Sequence, residues 1–233
     1  MMNSMESFSL TTPLLRNVFR YAKPLGHNQQ PGKLNLGFGF IYYGIVRAIR
    51  PKHTLVIGSG YGFSVVCLAL GIKDNGEGSL TFVDPSYSLL KNGPFMTVGG
   101  VNKWGDQIKV YDHFRQFGVE DFVEHYKLRN DQFFPLYESY KLPGIEIAFI
   151  DGSHSYKDVK YDFINTVKYS HKNSYIFLHD TNLYIREMIR HSGVKRWLKV
   201  IKQYPDYFEV IDFPFDCGLA IVRVLQDKIW EPT

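Results

Sequence analysis

Short apolar runs alternate with longer amphipathic stretches along most of the 233-residue chain. The apolar runs are about five to seven residues long, rich in β-branched and aromatic side chains, and bounded by Gly, Pro, Asp or Asn, which is typical of strands. Because they lack polar alternation, we expect both faces of each strand to be covered. We therefore predict an α/β fold of the Rossmann-like, doubly wound type, with a mostly parallel sheet. The predicted strands are residues 53–58, 79–84, 107–112, 145–151 and 174–180.

The C-terminal part of the chain departs from this alternation. After a helical pattern over residues 183–203, two strand-like runs, 207–213 and 218–224, are separated by only "PFDC". So short a connection leaves no room for a crossover helix, so the two runs should form an antiparallel pair at the end of the sheet. At the other end of the chain, an amphipathic helix over residues 39–51 ends at Pro51 and leads into the first strand.

Composition and charge limit the class of protein. A hydrophobic share of 45%, with 16% aromatic residues, is enough to build one sizeable core. We expect residues 1–233 to form one domain, with a helical lead-in over 1–50 and a core over 51–225. Cys67 and Cys217 lie far apart and form no CxxC motif, so neither a disulfide framework nor a structural zinc site is indicated.

The same features indicate where the protein acts and with what partners. A net charge of +4 is too mild to indicate a nucleic acid or a membrane surface as partner. No apolar run approaches the roughly 18 residues of a membrane span, and the N-terminus lacks the pattern of a secretory signal. We predict a cytoplasmic protein with a small-molecule partner and neither nucleic acid nor membrane. A homo-oligomer is compatible with these observations.

A glycine-rich loop follows the first predicted strand and precedes a helical pattern. Its glycines allow positive φ and close approach of a ligand to the main chain, beside the free N–H groups of a helix N-terminus. The spacing is G-x-G-x-G, and bulky Phe63 occupies the sixth position of the dinucleotide pattern G-x-G-x-x-G, which argues against nicotinamide or flavin. The candidate cofactor-binding residues in the loop are Gly58, Ser59, Gly60, Tyr61, Gly62, Phe63 and Ser64.

Acidic residues end the second and third predicted strands. Asp84 lies 22 residues after Gly62, where its carboxylate can accept hydrogen bonds from both hydroxyls of a ribose held beside the loop. The alternative is a turn that begins at Asp84, since Asp favours that position. Loop and acid together favour a nucleoside site. Asp112, after the third predicted strand, is either an acceptor for an adenine amine or a solvated turn residue.

Several motifs follow one another in a fixed order: "IGSGYGFS", "FVDPS", "IDGSHSYKDVKYDF", "IFLHDT" and the closing antiparallel strands. In this order they resemble the class I S-adenosylmethionine-dependent methyltransferases, over about residues 38–224. The similarity is greatest to the group with an Asp-Gly-x-His-x-Tyr signature after strand four, which includes small-molecule O-methyltransferases. The resemblance implies a seven-stranded sheet with an antiparallel last strand and S-adenosylmethionine over its C-terminal edge. Val56 departs from it, because the family usually carries an acid there to support the methionine amino group.

Polar side chains also follow the fourth and fifth predicted strands. Asp151, His179 and Asp180 should converge, because ligands lie outside the carboxyl ends of the strands in open α/β sheets. Two carboxylates suit Mg²⁺ or Ca²⁺, and an imidazole widens the choice to Mn²⁺, Fe or Zn²⁺. The resemblance implies the same site. Methyltransferases of the macrocin and catechol types, and related cephalosporin hydroxylase-like proteins, carry acids at these positions to hold a metal that positions the acceptor hydroxyl. His179 replaces one of those acids.

The residues proposed for catalysis are Asp151, His154 and His179. Asp151 would face both the cofactor and the acceptor, and an imidazole with an ordinary pKa near ~6.5 can take a proton at neutral pH. The structural alternatives are that Asp151, or a neighbouring serine, caps the next helix, and that His154 only tethers a loop.

The predicted function is methyl transfer to a small-molecule acceptor, with a hydroxyl oxygen preferred and metal assistance as an option. Val56 motivates a first alternative, a catalytically inactive cofactor-binding or scaffold protein. A nucleic-acid methyltransferase is the other alternative. It is disfavoured because the chain lacks both an Asn-Pro-Pro-Tyr type motif and a basic extension.

Overall fold

The structure is a computed structural model that describes residues 8–87, 89–92, 95–98, 102–183, 193–227 and 230. For residues 89–92 and 95–98 it describes the main chain alone. The strands are β1 (His53–Ile57), β2 (Ser79–Val83), β3 (Leu89–Asn92), β4 (Phe95–Val98), β5 (Val123–Tyr126), β6 (Ile145–Ile150), β7 (Ser170–His179), β8 (Phe208–Phe213) and β9 (Leu219–Val224). The α-helices are α1 (Thr12–Asn17), α2 (Phe38–Ile49), α3 (Phe63–Asn75), α4 (Gln107–Arg115), α5 (Asn130–Phe133), α6 (Tyr156–Lys168) and α7 (Gly193–Ile201).

Seven of these strands form one sheet in the order β5-β2-β1-β6-β7-β9-β8. The pairs from β5 to β7 are parallel, and β9 runs antiparallel to both β7 and β8. The predicted Rossmann-like sheet with an antiparallel last strand is therefore confirmed, as is the C-terminal strand pair. Strands β3 and β4 form a separate antiparallel pair that the sequence did not suggest.

Both faces of the sheet are covered, as the apolar runs predicted. Every residue of β1 is buried, and its side chains alternate between two cores. Val56 packs in the core on the α2 and α3 side, and Leu55 and Ile57 pack in the core on the α6 and α7 side. The helices predicted over 39–51, 64–72 and 156–170 are present as α2, α3 and α6. Of the helical pattern over 183–203, α7 forms one part, and residues 184–192 lie outside the described residues.

The strand predicted over residues 107–112 is wrong, because these residues belong to helix α4. The Asp106 side chain accepts a hydrogen bond from the Lys109 N–H and caps this helix. Val110 is buried while Ile108 is 75% exposed, which is the burial of a helix and not of a covered strand. Asp112 therefore ends no strand, and it lies exposed on α4.

The third parallel strand is instead β5, which pairs with β2. As a result, the carboxyl ends of β5, β2, β1, β6 and β7 lie along one edge of the sheet. Among the described residues, no helix combines the length and the apolar character needed to cross a bilayer.

Candidate active site

A cavity of about 940 Å³ opens at the carboxyl edge of the sheet. Five segments contribute to its wall: the glycine loop after β1, the ends of β2, β6 and β7, and the chain before α2. Helices α5 and α6 add side chains to one end of it. Small-molecule sites typically measure roughly 300 to 1,000 Å³, so this cavity lies at the upper end of that range.

The glycine loop takes its shape from three glycines with positive φ, Gly58 at +69°, Gly60 at +49° and Gly62 at +88°. A Cβ on Gly58 would lie 2.5 Å from the carbonyl oxygen of Asp151, so only glycine lets the loop pack against the end of β6. A Cβ on Gly60 would meet nothing within 4 Å, because this residue faces the open cavity. The first glycine therefore fixes the loop, and the second leaves main chain accessible to a ligand.

The other predicted residues of the loop divide into two groups. Ser59, Tyr61 and Phe63 line the cavity together with Gly58 and Gly60. Gly62 and Ser64 are not among the lining residues. Gly62 backs onto the Trp104 ring, and the Ser64 hydroxyl lies 3.0 Å from the Ser59 hydroxyl in the interior. Gly62 and Ser64 thus support the loop from behind in this structure.

Asp84 lies beside the loop, is 4% exposed and lines the cavity. The Ser86 N–H donates a hydrogen bond of 2.6 Å to its Oδ1. Asp84 therefore starts a turn, as one alternative held, and at the same time presents its carboxyl group to the cavity. Burial raises the pKa of Asp84 to about 6, although hydrogen bonds from the main chain of Ser86 and Ser59 partly oppose this rise.

Asp151, His179 and Asp180 converge as predicted. His179 Nε2 donates a hydrogen bond of 2.9 Å to the carbonyl oxygen of Gly26, so this nitrogen carries a proton. Its Nδ1 lies 3.2 Å from Asp151 Oδ1 and 3.2 Å from Asp180 Oδ1. Burial disfavours a charged imidazole, but the two carboxylates outweigh burial and raise the pKa of His179 to about 9.

His154 joins the same group of side chains. Its Nε2 lies 3.1 Å from Asp180 Oδ2 and 3.5 Å from Asp151 Oδ1. The Ser155 side chain accepts a hydrogen bond from the Asp158 N–H and so caps helix α6. Of the two structural alternatives for this cap, the neighbouring serine is therefore confirmed, and Asp151 does not cap the helix. Burial alone would raise the pKa of Asp151, but the His179 charge and hydrogen bonds from both imidazoles hold it well below its ordinary value.

A loop before α2 supplies two residues that the sequence reasoning missed, Gly26 and His27. The His27 ring stacks on the His179 ring with centroids 4.2 Å apart, and its Nδ1 lies 3.0 Å from the Tyr42 hydroxyl. Burial, and then the His179 charge, lower the pKa of His27 well below its ordinary value. No local pattern marks this loop, because its partners lie in other segments of the chain.

Asn130 and Asp162 form a second missed pair, at the end of the cavity formed by α5 and α6. The Asn130 amide donates hydrogen bonds of 2.8 Å to both oxygens of Asp162, which is 1% exposed. Burial raises the pKa of Asp162 to about 8, and the charges of Asp158 and Asp131 add to the effect. A signal was available: Asp162 lies on the buried face of a helical pattern, beside Phe163.

Among the residues that the structure describes, two overlapping groups of side chains have donor atoms close enough together to hold a metal ion. One is His27, Asp151 and His179, and the other is Asp151, His154 and Asp180; within each, the donor atoms lie within 4.8 Å of one another. Asp151 is common to both groups, but neither group contains all three predicted ligands, since His179 belongs to the first and Asp180 to the second.

Comparison with known proteins adds a family and a fold. A family model described as "Methyltransferase domain" matches residues 55–181, which is more than half of the chain. The uncharacterized protein y4gI of Sinorhizobium fredii is 24% identical over 182 residues, which are 76% of this chain and 18% of that protein. The chain therefore spans less than a fifth of the length of this curated relative.

Two solved structures share the fold over nearly the whole chain. The O-methyltransferase from Bacillus cereus in complex with SAH has a TM-score of 0.64 and 17% identity, covering 92% of this chain and 91% of that one. The O-methyltransferase TomG from Streptomyces achromogenes, which is involved in tomaymycin synthesis and was solved with SAM, has a TM-score of 0.62 and 14% identity. That alignment covers 96% of this chain and 92% of TomG.

Proposed function

Because this chain belongs to the methyltransferase-domain family, we propose that it transfers a methyl group from S-adenosylmethionine to a hydroxyl oxygen of a small-molecule acceptor. One observation carries the proposal. The glycine loop with Asp84 and the cluster of Asp151, His154, His179 and Asp180 line the same cavity, where a methyl donor and its acceptor can meet.

The cofactor's place follows from the wall of the cavity. Gly60 offers open main chain, and the Asp84 carboxylate suits the two ribose hydroxyls. Asn130 and Asp162 also line the cavity, and in this proposal they contact the adenine. They take the role first assigned to Asp112, which lies on the outside of α4.

Val56 does not prevent this placement. The Val56 side chain is buried opposite Phe82 and Phe149 in the sheet, in an apolar core where a carboxylate would be unfavourable. The carbonyl oxygen of Asp151 closely approaches Gly58, where it can accept a hydrogen bond from the methionine ammonium group. A main-chain acceptor thus serves in place of the acid that Val56 replaces.

The chemistry requires mainly alignment and exclusion of water. S-adenosylmethionine supplies a methyl group on a positively charged sulfur, which an oxygen attacks in line. The cluster of carboxylates and imidazoles lines the cavity, as Leu25 and Leu183 do, and it can hold the hydroxyl proton of the acceptor. A divalent cation held by Asp151, His179 and Asp180 would lower the pKa of the acceptor hydroxyl.

Part of this set meets the spacing that such an ion needs, because Asp151 has close donor atoms in His179 on one side and in Asp180 on the other. The His179 Nδ1 lies equally far from one oxygen of each carboxylate, at 3.2 Å, and all three side chains are largely buried. The hydrogen bond from His179 Nε2 to Gly26 orients the ring so that Nδ1 faces the two acids, as the outer partner of a metal-binding imidazole usually does.

Calorimetry with S-adenosylhomocysteine tests the cofactor site first. We expect binding below millimolar ligand, and a weaker complex for Asp84→Ala. Absence of heat, or equal affinity in Asp84→Ala, would contradict the site.

Transfer of a labelled methyl group to a panel of small phenols, sugars, amines and thiols then tests the reaction. We expect transfer to a hydroxyl compound. Binding of S-adenosylhomocysteine with no transfer to any member of the panel would favour the inactive binding protein instead, and transfer only to tRNA or DNA would favour the nucleic-acid enzyme.

A further inference from the structure

Two lysines from distant parts of the chain meet at one tyrosine of the glycine loop. Lys23 Nζ lies 5.5 Å and Lys103 Nζ lies 5.2 Å from the centre of the Tyr61 ring, so the ring attracts both ammonium groups. Lys23 and Tyr61 line the cavity. Lys103 comes from the segment before α4, and its Nζ donates a hydrogen bond of 3.1 Å to the carbonyl oxygen of Tyr21. We call Lys23, Tyr61 and Lys103 the lysine–tyrosine cluster.

No acid balances the two positive charges of this cluster. Within the parts of the chain that the structure describes, no carboxylate forms an ion pair with Lys23 or Lys103. By contrast, Arg129 on the wall of the same cavity is paired with Asp131 at 2.7 Å. Lys103 is partly buried, and burial, followed by the charge of Lys23, lowers its pKa. Because a buried charge is costly without a partner, a bound anion would stabilise this arrangement.

The main chain fixes the position of Lys23. Its φ of +25° and ψ of 84° lie in a region that residues other than glycine rarely adopt, and Pro24 follows directly. Such a conformation persists only where the surrounding structure imposes it. Three residues later, the Gly26 carbonyl oxygen accepts the hydrogen bond from His179. One short segment therefore contributes both to the lysine–tyrosine cluster and to the surroundings of the acids at the strand ends.

We infer that Lys23, Lys103 and Tyr61 form an anion-binding site at one side of the cavity, and that this site holds the carboxylate group of a bound ligand. Ammonium groups bind carboxylates through charge-assisted hydrogen bonds. At the strand ends, the cavity is lined by acids that repel an anion, namely Asp84, Asp151 and Asp180. The negative group of a ligand is therefore directed toward the lysines.

Two ligands of the proposed function carry or can carry a carboxylate, and the inference rests on that function only for the identity of the ligand. The first is the methionine part of S-adenosylmethionine. Its carboxylate is attached to the same carbon as the ammonium group that we place beside Gly58, and Tyr61 belongs to the same loop. Because Val56 replaces the usual acid, the cofactor would be held at this end mainly through its carboxylate. The second is an acceptor with a carboxylate in addition to its hydroxyl.

Analogues of the cofactor product test the site without any variant. Calorimetry compares S-adenosylhomocysteine with its decarboxylated analogue, which lacks only the carboxylate, and with its deaminated analogue, which lacks only the ammonium group. We expect loss of the carboxylate to weaken binding by about 30-fold or more, and loss of the ammonium group to weaken it by less than about fivefold.

Variants then assign this preference to the two lysines. In the double variant Lys23→Met and Lys103→Met, the preference for S-adenosylhomocysteine over its decarboxylated analogue should fall to about twofold or less. The double variant Lys23→Arg and Lys103→Arg keeps both charges and should retain most of the preference. Lys157→Met is the matched control, because it removes one exposed lysine from another part of the same cavity wall and should leave the preference unchanged.

A second arm of the experiment determines whether the acceptor supplies the carboxylate. Protein saturated with S-adenosylhomocysteine is titrated with para-hydroxybenzoate and with its neutral counterpart, para-hydroxybenzamide. Suppose that the cofactor carboxylate has no effect, but that the benzoate binds about tenfold or more tightly than the amide and loses this advantage in the methionine double variant. That result would uphold the anion site and assign it to the acceptor.

The inference is overturned if neither carboxylate strengthens binding, or if the preference for a carboxylate persists in the folded methionine double variant. If S-adenosylhomocysteine still binds in that case, the proposed function stands and only this inference fails. If no adenosyl ligand binds, the proposed function fails. Binding of para-hydroxybenzoate to the protein alone, abolished in the methionine double variant, would then still uphold the anion site.

Discussion

The two ends of the cavity are built in different ways. One, the loop end, consists of residues that follow the neighbouring strands β1 and β2, namely Gly58, Ser59, Gly60, Tyr61, Phe63 and Asp84. The other, the cluster end, consists of Asp151, His154, His179 and Asp180 with His27 stacked on it, and it presents side chains from three separate segments. At the loop end a ligand would be held mainly by close packing and hydrogen bonds. At the cluster end it would be held mainly by charged side chains.

This difference has a consequence for mutation. A change at the loop end acts through steric overlap or a lost hydrogen bond, so its effect should appear in stability and cofactor affinity. A change at the cluster end acts through charge and ligand type, so its effect should appear in turnover and metal binding. A mutation at one end should therefore leave the properties that depend on the other end largely unchanged. Each of the following experiments can contradict this expectation.

Gly58→Ala should have the largest effect. Its Cβ would lie 2.5 Å from the Asp151 carbonyl oxygen, at a φ of +69° that disfavours alanine. We expect the free energy of unfolding to fall by about 3 kcal/mol or more, measured by urea denaturation. Gly60→Ala is the control, since it has positive φ but open space around it, and should cost only about 1 kcal/mol. Equal losses would mean that packing against β6 does not hold the loop.

Asp151→Asn should have the second-largest effect. The substitution keeps the size of the side chain and its main-chain oxygen, but removes the charge that faces both imidazoles. We expect kcat to fall by about 100-fold or more, with the affinity for S-adenosylhomocysteine changed less than about threefold. Single-turnover kinetics and calorimetry measure the two quantities. A parallel loss of both would show that the ends are not separable.

Asp84→Asn should weaken binding of S-adenosylhomocysteine by about 20-fold at pH 7.5, because a charged acceptor for the ribose hydroxyls is lost. The wild-type affinity should itself decline as pH falls through about 6, where the buried Asp84 carboxylate takes up a proton. Calorimetry from pH 5 to pH 8 records both effects. The variant should lack this decline, and a decline of equal size in the variant would assign it to another group.

Asp162→Asn should have a smaller effect, on the pH dependence of stability. The folded protein holds a proton on Asp162 up to a pKa of about 8, whereas the ordinary pKa of an aspartate side chain is 3.8. Between these two values the folded state therefore binds more protons than the unfolded state. Stability should therefore fall as pH rises, by up to about 1.4 kcal/mol per pH unit from this group. Urea denaturation at pH 5, 6, 7 and 8 should show a steeper fall for the wild type than for the variant. Parallel curves would mean that Asp162 is ionised in the fold.

Most of the fold could be predicted from the sequence, because fully buried parallel strands leave apolar runs that are easy to see. The exceptions are instructive. "QIKVYD" places Ile108 and Val110 two residues apart, as a strand would, but the Asp106 cap and the burial of Val110 and Phe114 make it a helix. Strand β5 escaped notice because its four residues, "VEHY", carry little apolar character.

The residues of the candidate site that could be predicted are those that directly follow the strands of the sheet. Asp84, Asp151, His179 and Asp180 were found because a parallel sheet delivers these positions to one edge, and the resemblance to class I methyltransferases is confirmed by the family model and the fold. His27 and Asn130 could not be found in this way. Their places depend on how loops fold back over the sheet, which no local periodicity records.

The hydrogen bond from His179 to Gly26 joins residues 153 positions apart in the chain. During synthesis, the loop that carries Gly26 and His27 emerges before β7, so this hydrogen bond can form only after β7 has been made, whereas His27 meets Tyr42 and Phe63 earlier. Closing so long a loop is entropically costly, so this contact should be among the last to form and the first to open. The sheet can then persist while the N-terminal loop detaches, which would admit and release ligands without unfolding the domain.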